Sequence, residues 1–214
     1  MAERRAGRDA AVDLFVVGAG QAGIPLAHAL AKKGWRVMLA ERKDPGGSCV
    51  NFGCTPTKAA IASARVAQLA RRAGEFGIRI PRLRIDFAAV LGRAHGIAAQ
   101  SRIALRESLV HAHGGNPAYL HGHARFLGRE GRLFRVQIGA RVVLARRVVL
   151  DTGTRTLVPR GLGFEGIDFL HAGNWLDRPQ LPRHLVVVGG SYVGLEMSQF
   201  YRRMGSRVTL IERG

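Results

Sequence analysis

Val12-Asp-Leu-Phe-Val-Val-Gly-Ala-Gly-Gln-Ala-Gly23 is the stretch whose reading sets the fold. Val12–Val17 is an apolar run of the kind found in parallel strands buried on both faces. Gly18, Gly20 and Gly23 follow at once. A helical stretch continues to Lys33, with Pro25 in its first turn, where proline is tolerated. A second strand, Arg36–Ala40, ends at Glu41, 18 residues past Gly23. Strand, glycine turn, helix, strand and terminal acid form the dinucleotide fingerprint in the context it requires. The glycines let the backbone approach a diphosphate, which rests on the helix N-terminus. Glu41 is placed to accept from a ribose hydroxyl.

The next informative stretch is Gly46-Gly-Ser-Cys-Val-Asn-Phe-Gly-Cys-Thr-Pro-Thr-Lys58, which holds the only two cysteines, Cys49 and Cys54. A disulfide needs its Cα atoms within about 7 Å. Residues five apart in a regular helix are farther than that, so a bridge here needs an irregular turn, and Asn51 and Gly53 supply turn chemistry. Thr55 is expected to cap a helix and Pro56 to open it, leaving Cys54 at the positive end, where a thiolate is favoured. Lys58 adds a positive charge one turn in. Redox exchange is the favoured reading of the pair, against two buried thiols or a plain stabilising bridge.

Farther on, Ala59–Ala73 reads as a helix with Ala62, Val66, Leu69 and Ala73 on its inner face. Asp86 caps a second, longer helix with a stripe of Phe87, Val90, Leu91, Ala94, Ile97 and Ala98, continuing to about His111. Residues 118–150 alternate in short runs, as in a small antiparallel meander, and lead to Val148-Val-Leu-Asp-Thr-Gly153. Residues 155–183 show little periodicity and read as a connection. Then the opening pattern returns: Leu185–Val188, the turn Gly189-Gly-Ser-Tyr-Val-Gly194, a helix to about Met204, the strand Arg207–Ile211 and Glu212. The acid again lies 18 residues past the last turn glycine. Two half-units imply two cofactors. Ser191 stands where the first turn has its middle glycine. Because one strand-helix-strand unit does not complete a doubly wound domain, a truncated protein, a fragment or half of an assembly is expected.

The formal charge is +18, nearly all of it arginine. Such a balance suits nucleic acid, but the arginines are spread along the chain without interleaved aromatics, which argues against it. No run of 18 apolar residues indicates a membrane span. The charged start, Met1–Ala11, lacks an apolar signal core, so a cytoplasmic protein is expected. His111/His113 and His121/His123 lack a cysteine or carboxylate to complete a ligand set, and no metal site is assigned.

The order of these motifs resembles class I pyridine nucleotide-disulfide oxidoreductases, such as dihydrolipoamide dehydrogenase, glutathione reductase and mercuric reductase. Cys54-Thr-Pro-Thr-Lys58 and the Ala/Arg-rich helix behind it look most like mercuric reductase-like proteins. The resemblance implies an α/β fold: a Rossmann-like FAD-binding domain (1–154) with an inserted antiparallel β-meander, the connection 155–183, and the truncated start of a Rossmann-like NAD(P)-binding domain (184–214). It implies FAD at Gly18, Gly20, Gly23, Glu41, Gly47, Ser48, Lys58, near Ala124, and at Thr152 and Gly153. Nicotinamide nucleotide falls on Gly189, Gly190, Ser191, Tyr192, Val193, Gly194 and Glu212, with NADH favoured by Glu212. Tyr192 matches an aromatic gate, and Glu196 pairs with Lys58. Cys54 would face the flavin in a Cys49–Cys54 disulfide, and Cys49 would attack a small disulfide or help hold a metal ion.

The family is homodimeric, and its dimer domain, with a histidine acid/base from the partner, has no counterpart here. There is no third cysteine for a mercuric reductase's C-terminal pair. Asp151, ahead of Thr152-Gly153, departs from the family's turn and bears on FAD binding. Two further readings stand beside the enzyme: a nucleotide-binding remnant or partner of another chain without turnover and, least favoured, a basic nucleic-acid binder.

Overall fold

A computed structural model describes residues 11–158, 163 and 166–213. The chain forms two compact units, each from two segments: residues 1–51 with 101–155, and residues 52–100 with 156–214.

The first unit is built on a six-stranded mixed sheet. Its strands are β1 (Val12–Val17), β2 (Val37–Glu41), β3 (Ala118–His121), β4 (Ala124–Glu130), β5 (Leu133–Ile138) and β6 (Arg141–Leu150). The order is β3-β2-β1-β6-β5-β4. β1 lies between two parallel neighbours, with Val16 opposite Leu39 of β2 and Val149 of β6. Both its faces are covered, which is why it reads as an unbroken apolar run. Leu14 and Val16 face one core with Ile24, Ala27, Leu39 and Leu109. Phe15 faces the other with Val136, Ile138 and Ala145. Helix α1 (Gly23–Lys32) follows the glycine turn, and the short α2 (Gly47–Asn51) follows β2.

The meander occupies β4-β5-β6, which pair antiparallel. Its expected first strand belongs elsewhere: Ala118–His121 pairs parallel with β2. Alternation in sequence marks a strand without stating its partner, and here two sides of one sheet are contiguous in sequence.

The second unit contains α3 (Cys54–Arg71), the first part of α4 (Phe87–Val110), β7 (His184–Val188), α5 (Tyr192–Met204) and β8 (Arg207–Ile211). β7 and β8 form a parallel pair. Its core gathers Phe87, Leu91, Ala94, Trp175, Phe200, Tyr201 and Met204 over a floor of Ala59, Ala60, Ala64 and Ala67. The Asp86 cap is present, with Oδ1 accepting from the Ala89 N–H at 2.9 Å. The α4 stripe packs inward as its period requires.

Helix α3 differs from expectation in two ways. Gly53, not Thr55, stands at its N-cap, and Cys54 is the first helical residue. Its inner face is the alanine row, while Val66 and Leu69 are 66% and 47% exposed. Small side chains let α3 lie close against α5, so bulk sits outside and alanine inside. The packing also cuts across the division at 154 and 183. Residues 52–100 pack with 156–214, because Trp175 and α5 bury their aromatics against α3 and α4.

Candidate functional site

In the first unit the glycine turn joins β1 to α1. Gly18 has φ +107°, open to glycine at no steric cost, and a Cβ there would overlap the Asp151 carbonyl oxygen. At Gly23 a Cβ would overlap the Gly18 carbonyl oxygen. The backbone of the turn is thus packed against itself and against the residue that follows the last strand of the sheet. Glu41 ends β2, and its Oε2 accepts from the Ala19 N–H at 2.9 Å, Oε1 from the Lys43 N–H at 2.8 Å. The Gly122 N–H donates to the Glu41 carbonyl at 2.8 Å, two residues before β4 begins at Ala124. Burial, reinforced by Glu41, pushes the Tyr119 phenol up from its ordinary value.

The cysteine-bearing stretch is fastened to this turn. The Gly46 N–H donates to the Ala19 carbonyl at 2.7 Å, and Gln21 Nε2 donates to the Gly46 carbonyl at 3.1 Å. Gly47 (φ +60°) is so near that a Cβ would stand 3.1 Å from the Gly20 Cα. Asn51 Nδ2 donates back to the Gly47 carbonyl at 2.8 Å, closing α2 on itself. Ser48 is exposed and Cys49 half-buried on this helix.

Cys54, at the head of the 18-residue helix α3 in the second unit, is exposed. Both sulfurs are thiols, so the expected Cys49–Cys54 bridge is not formed in this structure. A dithiol is one of the two states of a redox pair, and its sulfurs are separate by definition.

The second unit repeats the glycine turn between β7 and α5. Gly189 has φ +108°, and a Cβ on Gly194 would overlap the Gly189 carbonyl oxygen. The Glu212 carboxylate accepts from the Gly190 N–H, as Glu41 does from Ala19. Ser191 is the extended N-cap of α5, and Tyr192, its first residue, is 74% exposed. Lys58 of α3 forms an ion pair with Glu196 of α5, joining two residues 138 apart in sequence.

Two features went unread in the sequence. The hydrogen bonds of Asp151 to the first turn are one of them. Val17 pairs with Leu150, so Asp151 comes level with Gly18, and its N–H donates to the Val17 carbonyl at 2.8 Å. Its Oδ2 accepts from the N–H groups of Gly20 (3.0 Å) and Gly23 (2.8 Å). The acid before Thr152-Gly153 was the visible signal; its target, some 130 residues earlier, was not. Arginine clustering is the second. Arg71, Arg72, Arg202 and Arg203 line one cleft with Gln68 and Gln199, from two helices far apart in sequence. Among the described residues no group of three potential metal ligands is found. Nor is any helix there long and apolar enough to cross a membrane.

Both turns have the backbone form of a dinucleotide cradle, each closing on a glycine whose Cβ would meet a carbonyl oxygen and each bonded by an acid from the end of the next strand. Residues 12–214 match the family described as pyridine nucleotide-disulphide oxidoreductase. A mercuric reductase of Streptomyces lividans is 35% identical over 205 residues, 94% of this chain and 42% of the relative. A dihydrolipoyl dehydrogenase of Chlorobaculum parvum is 32% identical over 201 residues, with the same coverage. The HOCl-induced flavoprotein disulfide reductase RclA from Escherichia coli superposes with TM-score 0.74 at 30% identity, over 94% of this chain and 42% of that structure. The chain thus spans about two fifths of the length of these relatives.

Proposed function

Because the chain belongs to the pyridine nucleotide-disulphide oxidoreductase family, we propose that it serves an FAD-dependent NAD(P)H oxidoreductase whose Cys49–Cys54 pair delivers electrons to a disulfide or metal-ion acceptor. One observation carries this reading. Helix α2, which bears Cys49, is tied to the first glycine turn through Gly46 and Gln21, so a sulfur is built onto the dinucleotide cradle itself. In this reading Gly18, Gly20, Gly23, Glu41, Gly47, Ser48, Lys58, Thr152, Gly153 and the backbone near Ala124 hold FAD. Gly189–Gly194 and Glu212 hold NAD(P)H, and the acid at Glu212 favours a free 2′-hydroxyl and hence NADH. When bound, FAD supplies a two-electron carrier between nicotinamide and sulfur.

The chain's own residues do the rest. The Cys49 thiolate attacks one sulfur of the acceptor disulfide, giving a mixed disulfide and releasing the first acceptor thiol. Cys54 then attacks the Cys49 sulfur, releasing the second acceptor thiol and closing the Cys49–Cys54 bridge. The acceptor gains two electrons and two protons, and NAD(P)H restores the dithiol. For a soft metal ion, the same two thiolates are suitable ligands. Lys58 is held in place by Glu196, and Tyr192, the first residue of α5, serves as the aromatic gate over the flavin.

The test is thiol release from an aromatic disulfide by the chain reconstituted with FAD and given NADH. Release that depends on NADH and is lost in Cys54→Ser supports the proposal. Equal release by wild type and Cys54→Ser overturns the assignment of the pair. A second reading, nucleotide binding without turnover or assembly with another polypeptide, is favoured by the bare second sheet. Val186, Val188, Leu210 and Ile211 of the two-stranded β7–β8 pair are all exposed. It would show as retained FAD with no NADH-dependent release.

A further inference from the structure

The first glycine turn carries an anion of its own. The turn offers backbone N–H groups at residues 18 to 23, and the protein itself takes most of them. Gly18 donates to the Ala40 carbonyl at 2.7 Å and Ala19 to Glu41 at 2.9 Å. Gly20 and Gly23 both donate to one oxygen of Asp151. That oxygen sits at the N-terminus of α1, where partial positive charge and converging N–H groups favour an anion. It is held there from behind, because Asp151 follows β6 directly and its N–H is bonded to β1. A carboxylate oxygen bridging two turn donors occupies the electrostatic position that a diphosphate seeks.

We propose that Asp151 is an internal anion that opposes the diphosphate of FAD at the first glycine turn and thereby sets the chain's affinity for the cofactor. This rests on reading that turn as the FAD cradle. A diphosphate brought to the turn meets a negative charge within a few ångströms, at a site partly shielded from water. It binds only against that charge or by displacing the side chain from Gly20 and Gly23.

The turn's own sequence supports the pairing of Gly20 with Asp151. A Cβ on Gly20 would stand 2.7 Å from Asp151 Oδ2, and its three nearest neighbours are all atoms of the Asp151 side chain. Within the protein itself, the atoms that a Cβ on Gly20 meets first are those of the carboxylate. The second turn, where Glu212 accepts from the Gly190 N–H, carries Ser191 in that place. In the first turn the middle glycine faces the Asp151 carboxylate; in the second that place is held by Ser191.

The experiment is FAD titration by flavin fluorescence, with inorganic pyrophosphate protection against thermal unfolding as a second readout, on wild type and Asp151→Asn. The amide keeps the shape and an acceptor for the two N–H groups while removing the charge. The expected result is a Kd for FAD lower by about tenfold or more in Asp151→Asn, since unscreened like charges at this separation are worth that much. Pyrophosphate should also raise the variant's Tm more than that of wild type. Asp151→Ala serves the same comparison if the amide variant fails to fold. Equal FAD affinity in wild type and folded variant overturns the proposal while leaving the FAD cradle standing. Weaker FAD binding by a folded variant also overturns it, making Asp151 a support of the turn. Absence of FAD binding and of pyrophosphate protection in every form overturns both the proposal and the reading of the cradle.

Discussion

The two glycine turns are nearly superposable in their rules and differ in what fills them. Each opens with a glycine at φ near +107° and closes with a glycine pressed on the first one's carbonyl oxygen. Each is met by an acid from the next strand, Glu41 or Glu212. In the first, Asp151 reaches in from β6 and bonds two further N–H groups, and the middle residue is Gly20. In the second, β7 pairs with β8 and the middle residue is Ser191. The shared glycines answer to backbone crowding, which is intrinsic to the turn. The middle position answers to a neighbour, which is not.

The largest effects are expected where the turns agree. Gly23→Ala and Gly194→Ala each drive a Cβ into a backbone carbonyl that has little room to yield. Each should cost about 3 kcal/mol, measured by denaturant unfolding, and abolish nucleotide binding at its own turn. A large cost at one and none at the other would break the equivalence of the two cradles.

Next comes the position where they differ. Gly20→Ala should destabilise wild type by about 1–3 kcal/mol and be nearly neutral in an Asp151→Ala background. A double-mutant cycle checks this. The same cost in both backgrounds would show that Gly20 serves the backbone after all.

Smaller still is the Lys58–Glu196 pair, which belongs to the second unit alone. Both side chains are partly exposed, so Glu196→Gln should change stability by only about 0.5 kcal/mol. The same substitution should nevertheless lower NADH-dependent thiol release. A large stability loss with unchanged release would make the pair structural.

An effect confined to alkaline pH lies in the core of the second unit. Burial pushes the Tyr201 phenol from 10.0 up to about 12. Its folded value is raised, so the stabilisation of the neutral phenol is complete below pH 10 and is lost as pH rises towards 12. Among the described residues its hydroxyl has no hydrogen-bond partner. Tyr201→Phe should therefore leave neutral-pH stability within about 1 kcal/mol and flatten the alkaline decline in Tm. An unchanged decline would assign it to other groups.

What could be read from the sequence was whatever is written locally. Strands Val12–Val17 and Arg207–Ile211, both glycine turns, the Asp86 cap and the α4 stripe follow from nearest-neighbour patterns, and the structure has them. The Lys58–Glu196 contact came through the family resemblance, and the two side chains do meet. On α3 apolar bulk does not mark the inner face. Where helices approach closely, Ala60 and Ala64 are the buried residues and Val66 is left outside. Thr55 was read as a cap by residue type, although backbone geometry gave that place to Gly53. The Asp151 bonds and the arginine cleft were beyond reach, since each joins residues about 130 positions apart whose proximity only the assembled fold creates.

The central claim is that the first turn is an FAD cradle with a redox sulfur attached. Its most direct test is FAD titration of wild type and of Gly23→Val by flavin fluorescence. Saturable one-site binding by wild type, absent from the folded variant, is the predicted result. No saturable binding by wild type, or binding unaffected by valine at position 23, would contradict it.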